Sequence, residues 1–377
     1  MKKATLKLSA FIMLLAIVTT SSAQTSGNVQ LNTVTTAVPF LRISPDARSA
    51  GMGDVGIATA PDAYSAFWNI AKTPFSNKVS SIGVTYTPWL SDLNLKDVYL
   101  ASAAGYYKLD ESQALSLGLR YFSLGDIQFT DANSNNIGSK RPREYAVDLG
   151  YSRKLSAKSG LGIAIRYISS DLAGGNIGGV TYKKGTSVAG DLHYFHTSGK
   201  ENGEGFNWGI TLSNLGAKIS YSSNANQKDY IPANLGVGAA YTKVFDADSK
   251  LTFAVDLNKL LVPTPGDTSA AALADYRSKG VVSSWFSSFS GKSGGEEFKE
   301  VTASLGIEYW YKEQFAFRTG YFYENPNKGN RKYFTVGAGL KYNTFGLNFA
   351  YLVPSGTGIG RNPLSNTLRF SLIFDVK

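Results

Sequence analysis

The stretch Thr344-Phe345-Gly346-Leu347-Asn348-Phe349-Ala350-Tyr351 decides the fold class. Successive side chains of an extended chain point to opposite faces, so Phe345, Leu347, Phe349 and Tyr351 share one face with Val353, and Thr344, Gly346, Asn348 and Ala350 share the other. The same period runs through Leu368, Phe370, Leu372, Phe374 and Val376, and through Phe334, Val336, Ala338, Leu340 and Tyr342. Earlier in the chain it reappears in Leu115, Leu117, Leu119 and Tyr121 and in Leu161, Ile163, Ile165 and Tyr167. Fourteen such segments can be marked from about Val79 to the end, each roughly nine to thirteen residues long. That length suits a tilted strand crossing a bilayer and exceeds the usual soluble strand of ~5 to 6 residues.

The connections sort by parity. Those at 88–97, 124–142, 172–183, 216–230, 261–299, 324–330 and 354–363 are long, whereas 109–112, 155–159, 197–205, 244–249, 312–313 and 342–343 are mostly tight. Outer-membrane barrels have an even strand number, short periplasmic turns and longer extracellular loops, and a soluble sandwich has no reason to imitate this. The pattern predicts an all-β protein, a 14-stranded antiparallel transmembrane β-barrel over residues 79–377 in the cell outer membrane, with both termini periplasmic or in the lumen. Arg120, Asp148, Arg166, Asp191, Asp256, Glu308, Arg318, Lys341 and Arg369 all fall on the face of small residues. An Arg or Lys facing hydrocarbon at the midplane costs ~2 to 4 kcal/mol, so the apolar face is the one that meets lipid. Tyr86, Trp89, Tyr107, Tyr151, Tyr241, Tyr309 and Tyr323, near strand ends, fit interfacial girdles.

Composition agrees. The 377 residues are 43% hydrophobic, 13% aromatic and 18% charged, too apolar for a disordered chain. The absence of cysteine excludes a disulfide scaffold, a thiolate metal site and a cysteine nucleophile. The net charge of +10 is partly leader lysine and otherwise scattered, so no nucleic-acid partner is expected. Lys2 and Lys3, the apolar run Leu8 to Val18 and the small residues Ser21-Ser22-Ala23 form a secretory signal peptide, residues 1–23, ending before Gln24.

A fourteen-strand barrel encloses more space than its own side chains fill. Residues 24–78 lack strand alternation and carry turn and helix signals instead: Pro39, Pro45-Asp46, Gly51-Met52-Gly53, Pro61-Asp62, and Ala63 to Ala71 as a short helix. They are expected to form an N-terminal hatch inside the barrel. Gly51-Met52-Gly53-Asp54-Val55-Gly56 matches G-x-G-x-x-G, but no apolar strand precedes it, so close backbone packing is the expected use of its glycines rather than a dinucleotide. His193 and His196 are the only histidines and, three apart on a strand, face opposite ways, so they cannot share a metal ion. Glu296-Glu297 lie in a solvated loop, and no Ser, His and Asp constellation emerges. No catalytic residue, cofactor or metal site is expected.

Loop 261–299 far exceeds what a hairpin needs, with a helical stretch Ser269 to Arg277 followed by Val281-Val282-Ser283-Ser284-Trp285-Phe286-Ser287-Ser288-Phe289. Trp and Phe in so long a loop are typical partner anchors, the alternative being that the loop folds back over the barrel mouth. Trp285, Phe286 and Phe289 are therefore expected to bind a partner, with Trp89 and Leu90 of loop 88–97 as further candidates. Lys140, Arg141 and Arg143 are candidates for lipopolysaccharide phosphates.

Asp46-Ala47-Arg48-Ser49-Ala50-Gly51-Met52-Gly53-Asp54-Val55-Gly56 and Asp62-Ala63-Tyr64-Ser65-Ala66-Phe67-Trp68-Asn69 are similar to the hatch motif of the FadL superfamily of outer-membrane barrels. The Trp68-Asn69 pair, together with the signal peptide, resembles the PorV (LptO) branch, although the proline that follows in the family is Ile70 here. The resemblance marks Gly51, Met52, Gly53, Trp68 and Asn69 as hatch-motif residues. It implies a non-enzymatic shuttle of the type IX secretion system. Such a shuttle docks on an SprA-type translocon, takes up secreted proteins through their C-terminal signal domain and delivers them to a PorU-type sortase complex that attaches lipopolysaccharide. The alternative within the superfamily is a FadL-like channel for hydrophobic small molecules. N-terminal sequencing of the exported protein is expected to begin at Gln24; a retained leader would overturn the processing assignment.

Overall fold

The computed structural model describes residues 33–376 apart from 90–94, 96, 132, 173–174, 178–179, 201, 223–227, 265–268, 290–293 and 354–365. The signal peptide and Leu90 lie outside the described residues. In chain order the strands are β1 (Ser80–Pro88), β2 (Val98–Lys108), β3 (Gln113–Leu124), β4 (Ile127–Thr130), β5 (Asn136–Lys140), β6 (Arg143–Lys154), β7 (Ser159–Asp171), β8 (Gly175–Ile177) and β9 (Val180–Tyr182). They continue with β10 (Gly185–Thr197), β11 (Gly205–Gly216), β12 (Asn234–Val244), β13 (Ser249–Leu260), β14 (Val301–Tyr311), β15 (Phe315–Tyr323), β16 (Lys332–Tyr342), β17 (Phe345–Val353) and β18 (Leu368–Val376). Fourteen of them pair antiparallel in a closed barrel, shut by β1 against β18 from Ser80 opposite Val376 to Tyr86 opposite Phe370. The other four form two hairpins, β4 with β5 and β8 with β9, inside the long connections 124–142 and 172–183.

Alternation sets the two faces of the wall. On β15, Phe315, Phe317 and Thr319 point outward, whereas Ala316, Arg318 and Gly320 are buried inside. The turns obey the parity pattern: Asn343, at φ 54, makes the tight link from Tyr342 to Phe345, which face each other across β16 and β17. Several charges on the inner face pair with one another. Arg166 contacts Asp148 and places Nη2 2.9 Å from Asp191, while the Asn214 amide donates to Asp191 at 2.7 Å across a register shift between β10 and β11.

Residues 33–78 fill the space within. Asp46 caps the short helix Ala47–Ala50 by accepting from the Ser49 amide at 2.8 Å. The expected single helix over Ala63–Ala71 is instead the α-helix Ser65–Trp68 and the 3-10 helix Ile70–Phe75. Asn69, extended at φ −162, breaks it, because its side chain accepts from the Ala71 amide and donates to the Ile57 and Tyr194 carbonyls at 3.2 and 3.0 Å. A tie to the wall is made at the expense of helical continuity.

Glycine on the inner face makes this fit possible. A Cβ at Gly320 would lie 2.1 Å from the backbone of Met52 and Gly53, and one at Gly238 2.6 Å from Ile57 Cβ. The small-residue face read from the sequence is thus a seat for the plug. At the mouth formed by the long connections, Val38, Phe40 and Leu41 of the plug join Trp89, Leu100, Phe122, Ile168 and Ile231 in an apolar core. Burying each large side chain there contributes about 1.5 to 3 kcal/mol. Trp89 does not stand in an interfacial girdle: it is buried, its ring 5.9 Å from that of Phe122, which itself stacks on Phe40.

Gly320→Val is expected to cost about 1 to 3 kcal/mol by overpacking, lowering the thermal transition and exposing the Met52-Gly53 turn to protease. Gly295→Ala, whose Cβ would meet nothing within 4 Å, serves as the control. Equal protease protection of the two variants would overturn the seating of the plug.

Candidate functional site

The plug is held by side chains that reach from it to the wall. Arg48, buried on the helix Ala47–Ala50, donates Nε and Nη2 to Glu308 of β14 at 3.0 and 2.8 Å, and Nη1 to Asp62 at 2.8 Å. Glu308 also accepts from Arg318, directly opposite on β15, at 2.7 Å, and Arg318 continues to Asn348 of β17 at 2.9 Å. Burial works against the charge on Arg48, but Glu308 and Asp62 more than offset it and hold its pKa above the usual arginine value. Such a cluster favours folding only while every member is paired, since removing one partner leaves an uncompensated buried charge.

Further ties surround it. Asp256 of β13 accepts from the Gly56 and Ile57 amides at 2.7 and 2.9 Å. Lys72 donates to the Gly56 carbonyl at 2.6 Å, and burial pulls its ammonium down to about 8 against the opposing charge of Asp62. The indole of Trp68 lies on Gly56 and donates to Asp46 at 2.8 Å, and burial together with Asp62 pushes the Asp46 carboxyl up. Gly53, at φ +71, is pressed against the backbones of Leu305 and Tyr321 and donates its amide to Thr335 at 2.9 Å. Gly51, Met52, Gly53 and Asn69 therefore serve plug-to-wall contact, while Trp68 braces the plug internally against Gly56 and Asp46. No dinucleotide fold surrounds them, and their glycines are needed for backbone approach.

The second feature is the connection after β13. It folds into helices at Ala270–Ser278, Val281–Ser287 and Gly294–Lys299. Tyr276 anchors the first by packing with Tyr230, Val262 and Val34 and donating to the Thr35 carbonyl at 3.2 Å. Lys218 donates to the carbonyls of Arg277 and Lys279 at 2.8 and 2.6 Å. At the far end Glu300 joins Lys259 at 2.7 Å and Lys328 at 3.1 Å. The connection folds back over the mouth, yet its middle helix is inverted. Ser284 and Ser288 are buried, whereas Val282 is 58%, Phe286 73% and Phe289 49% exposed, at i, i+4 and i+7. Phe298, on the next helix, is 80% exposed.

Of the expected partner residues, the structure aligns Phe286 and Phe289 on one outward stripe and leaves Trp285 half-buried on its flank. Trp89 belongs to the mouth core, where it is buried with its ring edge-on to Phe122. Leu90 is outside the described residues. Val282 and Phe298 were missed by the sequence reasoning; the i, i+4, i+7 spacing from Val282 was the available signal for the first. The structure also brings together Ser159 and His196, with Oγ and Nδ1 3.0 Å apart. No carboxylate adjoins the ring among the described residues; it lies against Trp208 instead.

The family model described as "Type IX secretion system protein PorV" matches residues 26–267. No curated protein matches the sequence. Among solved structures the chain is similar to the Ralstonia pickettii toluene transporter TbuX, with TM-score 0.53, 12% identity and coverage of 88% of this chain and 98% of that one. It is similar also to the Pseudomonas putida toluene transporter TodX, with TM-score 0.50, 11% identity and coverage of 91% and 98%. A Pseudomonas aeruginosa FadL homologue gives TM-score 0.50, 12% identity and coverage of 88% and 98%. At these identities the likeness shows the fold, a FadL-type barrel. A closed fourteen-strand barrel with an apolar outer face, together with a family match over most of its length, makes this an outer-membrane protein that belongs to the PorV family of the type IX secretion system.

Proposed function

We propose that the protein is a non-enzymatic shuttle of type IX secretion, docking on an SprA-type translocon, holding cargo by its C-terminal signal domain and passing it to a PorU-type sortase complex. The observation that carries this reading is the helix Val281–Ser287, which buries Ser284 and displays Val282 and Phe286, followed by Phe289, above a plugged lumen. An exposed apolar stripe on a helix whose preceding turn is tied down by Lys218 is a preorganised partner surface, since little chain entropy is lost when it docks. In this reading the end carrying Ser80 and Val376 faces the periplasm and the long connections face outward.

The toluene transporters share the fold, and a channel for hydrophobic small molecules is the competing reading. Such a channel needs an apolar route through the lumen. One cavity between plug and wall, of about 130 Å³, sets Arg42, Arg120, Asp54 and Asn214 beside Ile57 and Phe67, so it offers no continuous apolar lining.

Replacing Val282, Phe286 and Phe289 together by Ser is expected to reduce copurification of the large translocon barrel on the order of 30-fold, as for loss of ~2 kcal/mol at an interface hot spot, with the barrel still folded. Unchanged copurification would sink the docking role. Uptake of toluene into liposomes by the wild-type protein would move the assignment to the channel.

A further inference from the structure

The outer face of the wall carries a feature that neither plug nor loop explains. Tyr86, Tyr99, Tyr121, Tyr145 and Tyr167 lie side by side on consecutive wall strands near the long connections. Tyr86 and Tyr99 have ring centroids 5.5 Å apart, Tyr99 and Tyr121 6.1 Å, and Tyr145 and Tyr167 6.2 Å, while Tyr121 faces Tyr145 across β3 and β6. A tyrosine belt on a barrel marks the boundary between hydrocarbon and headgroups. On its inner side the same face is apolar and exposed at Val147, Leu149, Ile165 and Val188.

Just beyond the belt the wall turns cationic. Arg143 lies two residues past Tyr145 on the same face, and Lys184 sits 5.4 Å from the Tyr145 ring centroid and 3.5 Å from its hydroxyl. Together with Tyr121, Ser169 and Asp171 they line a groove of about 230 Å³. Asp171 is already taken by Lys140 at 2.5 Å, and nearby Arg141 by Asp126 at 2.6 Å. Among the described residues no carboxylate pairs with Arg143 or Lys184. Two unpaired cations thus share one groove at headgroup height, with apolar wall beneath it.

We propose that this groove between β3, β6, β7 and β10 binds the phosphate of an outer-leaflet lipid whose acyl chains lie along the wall below. The guanidinium of Arg143 offers a planar fork for two phosphate oxygens and Lys184 supplies a point charge, with the Tyr145 hydroxyl beside them. The apolar strip directly below the groove argues for a lipid over a free anion or an acidic peptide. The site is separate from the docking stripe and stands or falls without it.

The full-length protein in detergent, titrated with bis-phosphorylated lipid A and with the same lipid after phosphatase treatment, tests this. The phosphorylated form is expected to bind about tenfold or more tightly. Arg143→Gln with Lys184→Gln should abolish that preference, and the charge-preserving pair Arg143→Lys with Lys184→Arg should keep most of it, all with unchanged thermal transitions. Equal binding of the two lipids, or a Gln variant that matches wild type, would overturn the proposal. Inorganic phosphate competing at equal concentration would overturn the lipid source. Loss of an acidic protein partner in place of lipid from the Gln variant would assign the groove to protein docking.

Discussion

In hydrocarbon an unpaired backbone amide or carbonyl has no water to turn to, so a sheet there must close on itself. The pairing of β1 with β18 is where that requirement is met, and the remaining features follow from it. Closure of fourteen strands creates an interior, which must be filled or left wet. The inner face is accordingly built from glycine, alanine, serine and charges that find partners inside, while leucine, phenylalanine and valine cover the outside.

Filling the interior divides into two chemistries. Towards the middle the plug is held by polar ties, with Glu308 between Arg48 and Arg318, and Asp256 under the Gly56 and Ile57 amides. Directional bonds suit a segment with little regular structure, because its free backbone groups need partners that the wall can offer. At the mouth the seal is apolar, with Phe40, Phe122 and Trp89 in one cluster. The plug chain begins beside Tyr230 and Tyr276 at the long-connection end and leaves at β1, so the covering loop rests in part on the segment it covers.

A pathway for hydrocarbon would place apolar side chains along the interior, and here the interior is occupied by ion pairs and a seated plug. Apolar surface is displayed on the covering helix at Val282 and Phe286. The groove at Arg143 and Lys184 adds a contact with the membrane itself.

Strand number, the parity of connections, the orientation of the two faces and the presence of a plug were all legible in the sequence, because period-two alternation and turn chemistry are local properties. The glycines of Gly51-Met52-Gly53 could be recognised as packing residues for the same reason: no strand precedes them. Three matters were decided only by tertiary structure. Arg48 meets Glu308 across a separation of 260 residues, and no local pattern encodes that pairing. Trp89 has the same intrinsic chemistry as an interfacial anchor, and only the arrival of Phe122 beside it turns it into core. The helix Val281–Ser287 is amphipathic whichever way it lies; what turns Ser284 inward and Val282 and Phe286 outward is the anchoring of its neighbours through Tyr276, Lys218 and Glu300. Local periodicity fixes which residues share a face, and long-range contacts fix which way that face looks.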